Sequence, residues 1–174
     1  MSEFRIYKPY KDKNTNTFKG YASKIEVNEK EVKVGDKTYL KLHVFWTMTE
    51  QTGEDERGNA SFNWVTDKNP NGKQVVISLG DPDLGEFLAV LNGVKKKIGQ
   101  PNGKGLYHET SDTANKGMTF EYVEKEGYDS GYRVGLSKKD ENGVVKFSHT
   151  ISLGEAEILK IIFTDAIRKK YWVD

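Results

Sequence analysis

Residues Lys73–Gly99, KQVVISLGDPDLGEFLAVLNGVKKKIG, and Lys146–Trp172, KFSHTISLGEAEILKIIFTDAIRKKYW, are two versions of one pattern. Ile77-Ser78-Leu79-Gly80-Asp81 in the first answers Ile151-Ser152-Leu153-Gly154-Glu155 in the second. Each reads as a short alternating strand that bends at a glycine and enters a helix through an acidic residue, which suits a helix N-terminus. Pro82 fits a first helical turn, where its missing N–H costs nothing. Leu84, Phe87, Leu88, Leu91, Val94 and Ile98 predict one apolar helical stripe; Ile158, Leu159, Ile162, Phe163, Ala166 and Ile167 predict the other.

Working outward, each of these units is preceded by strands. Phe4–Tyr10 alternates, with Pro9 confining it to an edge or an end. The polar residues 11–17 form a hairpin loop, and Phe18–Val27 is a second strand. Tyr39–Thr49, YLKLHVFWTMT, is the clearest strand: Leu40, Leu42, Val44, Trp46 and Met48 share one face, and Tyr39, Lys41, His43, Phe45 and Thr47 the other. Four acids between Glu50 and Glu56 mark a loop, followed by Ser61–Val65 and the turn at Asn69–Gly72. The second half repeats the order through Leu106–His108, Lys116–Lys125, Tyr132–Lys138, the Asn142-Gly143 turn and Val144–Leu153. Met118, Phe120 and Tyr122 share a face. The expectation is one α+β domain over 1–174, a pseudo-repeat of two ββββα units (about 3–99 and 105–173) with antiparallel sheets and two packed helices.

Composition narrows the chemistry. The 174 residues contain no cysteine, which excludes disulfides, thiolate metal sites and thiol nucleophiles. His43, His108 and His149 are scattered and show no metal-ligand spacing. No carboxylate pair, phosphate-cradling loop or nucleophile–base spacing suggests an enzyme, and no cofactor is expected. No apolar run is long enough to span a membrane and no signal peptide is evident, so a soluble, cytoplasmic protein is expected. With 27 Lys and Arg against 26 Asp and Glu, net charge does not choose a partner, but acids gathered at 50–56 leave other surfaces positive.

Phe18–Ser23, Phe62-Asn63-Trp64, Lys73-Gln74-Val75, Leu106–Glu109, Ser130-Gly131-Tyr132 and Tyr171-Trp172, in this order and along nearly the whole chain, resemble stretches of the Whirly family of single-stranded-DNA-binding proteins. Phe18-Lys19-Gly20-Tyr21-Ala22-Ser23 resembles its Lys-Gly-Lys-Ala-Ala-Leu stretch, with Tyr21 in place of the second lysine and Ser23 in place of the second alanine. Phe62-Asn63-Trp64 resembles Tyr-Asp-Trp, and Lys73-Gln74-Val75 the Lys-Gln-Val/Ser ahead of the first helix. Leu106-Tyr107-His108-Glu109 resembles Phe-Phe-His-Asp, Ser130-Gly131-Tyr132 resembles Gly-Ser-Gly-Tyr/Phe, and Tyr171-Trp172 resembles the terminal Gly-Trp. The resemblance implies a tetramer with central helices and radiating sheets that hold single strands with little sequence preference. An acidic insertion at 50–58 and the lack of a transit peptide imply a prokaryotic, archaeal or viral member rather than a plant organellar one.

A sequence-tolerant single-strand binder needs cations beside aromatic rings on a rigid surface. The candidates are Lys8 and Tyr10, then Lys19, Tyr21 and Lys24, then Lys41, His43 and Phe45, with Gly20 admitting a base or sugar to the backbone. Trp64, Lys73, Lys116 and Arg133 complete the set. Phe45 equally suits a second core layer, Trp64 a buried anchor and Tyr21 a cross-strand packing partner. Lys95–Lys97 and Arg168–Lys170 read as complements to helix C-termini. The expected function is protection or annealing of single-stranded DNA in replication, recombination or repair. RNA binding or annealing, or a protein-interaction module, remain as alternatives. Apolar residues on more than one face of the second helix predict a homo-oligomer of four subunits.

Overall fold

The computed structural model describes residues 2–124, 126–127 and 129–171. Lys125, at the end of an expected strand, and Trp172, of the terminal motif, lie outside the described residues. Among the described residues, eleven strands and two helices follow one another as β1 (Ser2–Lys8), β2 (Lys11–Asp12), β3 (Thr17–Phe18), β4 (Tyr21–Val34), β5 (Lys37–Glu54), β6 (Ala60–Phe62), β7 (Gln74–Leu79), α1 (Asp81–Leu91), β8 (Leu106–Ser111), β9 (Ala114–Val123), β10 (Gly131–Asp140), β11 (Gly143–Ser152) and α2 (Leu153–Tyr171). The long strands β1-β4-β5-β7 form one antiparallel sheet and β8-β9-β10-β11 the other. The fold is α+β, with antiparallel sheets and two helices.

Alternation decides which face each strand buries. Ile6, Ile25, Trp46 and Ile77 point inward from the first sheet, and Met118, Phe120, Val134 and Ile151 from the second. Helix α1 packs on β7 and β9, α2 on β5, β10 and β11, and the helices on each other. Four rings, one from each sheet and each helix, meet at the centre. Phe87 of α1 lies 5.6 Å from Trp46, 5.0 Å from Phe120 and 5.3 Å from Phe163. A single continuous core results.

The two copies of the Ser-Leu-Gly motif start their helices at different points. In the second, Ser152 and Glu155 cap each other reciprocally: Ser152 N–H donates to Glu155 Oε2 at 2.8 Å and Glu155 N–H to Ser152 Oγ at 3.1 Å. Gly154 therefore lies inside the first turn of α2 rather than at the bend. In the first copy the same start would put Pro82 where the first helical N–H must donate. The helix instead begins two residues later, with Gly80 as N-cap, and Leu84 supplies that donor to the Gly80 carbonyl at 3.0 Å.

Helix α1 is also shorter than its apolar spacing predicts. It ends at Leu91 because Asn92 and Gly93, the latter at φ 73°, turn the chain out of the helix. Val94 is consequently 80% exposed. Ile98 is buried by another route, its N–H donating to the Phe120 carbonyl beside β9. Lys95 and Lys97 meet Glu86 and Glu121 instead of a helix end, whereas Arg168–Lys170 do occupy the last turn of α2. The acidic stretch is not all loop: β5 continues to Glu54, where Lys11 pairs with it at 2.7 Å, and Lys73 lies 3.6 Å from Glu50. The acids thus partly neutralise lysines near them. No helix is long and apolar enough to cross a membrane among the described residues.

Candidate nucleic-acid interface

The outer face of the first sheet follows from the strand register. Arg5, Lys24, Thr47 and Val76 stand side by side in one row, and Glu3, Glu26, Phe45 and Ser78 in the next. Asn28 and His43 follow. The segment between β6 and β7 carries Trp64 over this face. Its indole lies 5.8 Å from the Arg5 guanidinium and 5.8 Å from the Lys24 ammonium, within cation–π range of both. Phe62 continues the cover, 5.4 Å from Tyr7.

That covering segment is fixed by its own hydrogen bonds. Asn69 Nδ2 donates to the Trp64 carbonyl at 2.9 Å and to Asn63 Oδ1 at 3.1 Å, and Val65 N–H donates to Gln74 Oε1 at 3.1 Å. Thr47 and Thr49 are consequently buried although they face away from the core. Beyond Trp64 the sheet is open. Phe45 and His43, two apart on β5, stack with centroids 6.0 Å apart and planes 14° from parallel. Both are half-buried, so their rings stand as platforms rather than core.

The two cations beside Trp64 are held by carboxylates. Arg5 bonds Glu3 and also reaches Tyr7 Oη at 3.3 Å; the Arg5 bond holds the Glu3 carboxyl below its ordinary pKa. Lys24 sits 3.1 Å from Glu26. The Arg5–Glu3 pair is the more exposed of the two, and an exposed pair is weak, so a phosphate can share or replace its carboxylate at small cost. The arrangement offers stacking surfaces at Trp64, Phe45 and His43, with charge-assisted donors between and beside them.

The structure gathers Lys24, His43, Phe45 and Trp64 from the candidate residues, with Lys41 further along β5. Others go elsewhere. Lys8 shares the inward parity of Ile6, and its ammonium reaches both oxygens of Glu155 at 2.8 Å. Tyr21, paired with Lys8, turns the same way and packs on Phe147 at 5.8 Å. Gly20 does not admit a base. It is buried, and a Cβ there would stand 2.3 Å from Gln51 Oε1 and 2.6 Å from the Lys8 carbonyl oxygen, so the protein itself fills the approach.

Lys19 pairs with Asp12 at 2.7 Å, and that bond with the Asn14 and Thr15 N–H groups holds the Asp12 carboxyl at about 2. Tyr10 is exposed beside this small hairpin, and Lys73 meets Glu50. Lys116 lies on the other sheet in register with His108 and Lys138; burial, with Lys138 nearby, lowers its pKa. Arg133 is exposed on the second sheet, where it borders a cleft of about 490 Å³ with Thr150, Ser152 and Lys8. Sequence reasoning missed Arg5, Tyr7 and Phe62. The signal for the first two was present, since in FRIYK Arg5 and Tyr7 have the parity opposite to Phe4, Ile6 and Lys8.

No protein-family model matches the chain, and no curated protein matches it in sequence. Solved structures do. The Whirly protein WHY3 of Arabidopsis thaliana superposes with a TM-score of 0.67 at 15% identity, covering 99% of this chain and 89% of that one. The plant transcriptional regulator PBF-2 gives 0.66 at 15% identity over 97% and 81%. A trypanosome MRP1/MRP2 structure gives 0.55 at 14% identity over 95% and 83%. At such identities the likeness is one of architecture: the chain has a Whirly-like fold.

Proposed function

We propose that this chain is a non-catalytic, single-stranded-DNA-binding protein with little sequence preference, serving replication, recombination or repair by protecting or annealing strands. The observation that carries the reading is Trp64 lying 5.8 Å from both Arg5 and Lys24 on the outer face of the first sheet, the face that also carries the stacked pair Phe45 and His43. Unstacked bases present π-faces of every sequence to such rings, and each stacked base contributes about 1–3 kcal/mol. A duplex hides those faces. The Whirly-like architecture agrees with this use.

The chain is further proposed to work as a homotetramer. Helix α2 leaves Ile158 and Ile161 exposed, the latter 61%, along with Leu153 near its start, and a second copy would cover that stripe. A mobility-shift assay with single-stranded DNA, duplex DNA and single-stranded RNA of matched length tests the reading. Tight binding of single-stranded DNA and weak binding of duplex is expected. Equal binding of duplex would defeat it, and preference for RNA would replace DNA with RNA as the partner.

A further inference from the structure

The two longest strands outrun the rest of their sheet. Among the described residues, β1 pairs with β4 as far as Val27, and β7 with β5 as far as Val44. From Asn28 opposite His43 to Val34 opposite Lys37, seven residue pairs continue as a two-stranded ribbon to the turn at Gly35-Asp36. At the usual strand rise this arm is roughly 20 Å long. Its base is moored where Lys169 near the end of α2 meets Glu29 at 2.6 Å.

The arm's two faces differ in charge. Counting outward from Phe45, the outer face carries His43, Lys30 opposite Lys41, Val32 opposite Tyr39, and Val34 opposite Lys37. It holds three lysines and no acid. The opposite face carries Glu29 and Glu31 beside Leu42 and Leu40, then Lys33. Lys30, Lys37 and Lys41 are exposed and make no ion pair with a carboxylate among the described residues, unlike Arg5, Lys24, Lys19 and Lys73. Tyr39 is 52% exposed on the same side. An isolated ribbon of this length gains little stability by itself. Like-charged Lys30 and Lys41 directly opposite each other lower it further, because each repels the other. An anion between them removes that repulsion.

The geometry points to this arm as a second, cationic segment of the binding track, its outer face holding the phosphates of a single-stranded polynucleotide that has already stacked on Trp64, Phe45 and His43. The inference rests on the nucleic-acid reading above, and it adds Lys30, Lys37 and Tyr39 as phosphate- and base-contacting residues. The side of the arm follows from charge complementarity, since the opposite face presents acids to any polyanion.

The test is the salt dependence of affinity for a fluorescent oligothymidine. The parent chain, the triple variant K30Q/K37Q/K41Q and the variant K33Q, altered on the other face, are compared, with circular dichroism confirming that each folds. Three phosphate contacts set a loss of about 2 in the slope of log K against log salt for the triple variant, and no change for K33Q. A triple variant that binds with the parent slope overturns the arm while leaving the nucleic-acid reading intact. Equal losses in K33Q and the triple variant also overturn it, because no face is then selected. A parent chain that binds no single strand overturns both.

Discussion

His149 Nε2 lies 2.6 Å from Ser23 Oγ, and this contact joins the second sheet to the first. The Thr150 carbonyl can only accept, so the His149 Nδ1 at 2.8 Å carries the proton. Nε2 then accepts from the Ser23 hydroxyl, whose oxygen in turn accepts from Trp46 Nε1–H at 2.9 Å. The neutral imidazole thus satisfies a buried chain of donors running from the central tryptophan to β11.

Burial pushes the His149 pKa down, with Lys8 contributing in the same direction against the Thr150 carbonyl and Glu155. Because the folded-state value is depressed, the unfolded chain takes up a proton first as pH falls. Stability is therefore full above about 6.5 and declines below it. Chemical denaturation between pH 7 and about 5, above the carboxylate range, should show this slope in the parent chain and a flatter one in His149→Gln. Identical slopes in the two would exclude His149 as its source.

Phe87 touches the other three central rings and is fully buried. Phe87→Ala should cost about 3–5 kcal/mol, read as a lower denaturant midpoint with an unchanged slope. A cost below about 1 kcal/mol, the scale of a surface change, would mean the ring cluster does not hold the layers together.

Trp64 is half-exposed and belongs to the face rather than the core. Trp64→Ala should weaken oligothymidine binding by about 1–3 kcal/mol with little loss of fold stability. Fluorescence titration beside thermal denaturation separates the two effects. Stability lost with affinity kept would make Trp64 a structural anchor.

Replacing Ile158 and Ile161 with glutamate places charges on the exposed stripe of α2 without touching the buried Leu159 and Phe163. Light scattering should report a tetramer for the parent chain and smaller species for the double variant. A monomeric parent chain at micromolar concentration removes the proposed assembly.

Much of the architecture was legible because period-two and helical spacings are strong along this chain. Val44, Trp46 and Met48 against His43 and Phe45 is such a case, and the repeated Ile-Ser-Leu-Gly announced both strand-to-helix junctions. The unread parts depend on local competition or on distant contacts. Asn92-Gly93 stops α1 inside an apolar stripe that spacing alone extends to Ile98. Trp64 takes its place through a loop that folds back across β4 and β1, which no periodicity reports. Gly20 looked open as a residue without a side chain, yet Gln51, remote in sequence, fills the space.

Whether a single strand lies on the outer face of the first sheet is read by photocross-linking of an oligothymidine carrying iodouracil, followed by peptide mapping. Cross-links at Trp64 and at Phe45 or His43 are expected. Cross-links confined to the second sheet, around Arg133, would contradict the account.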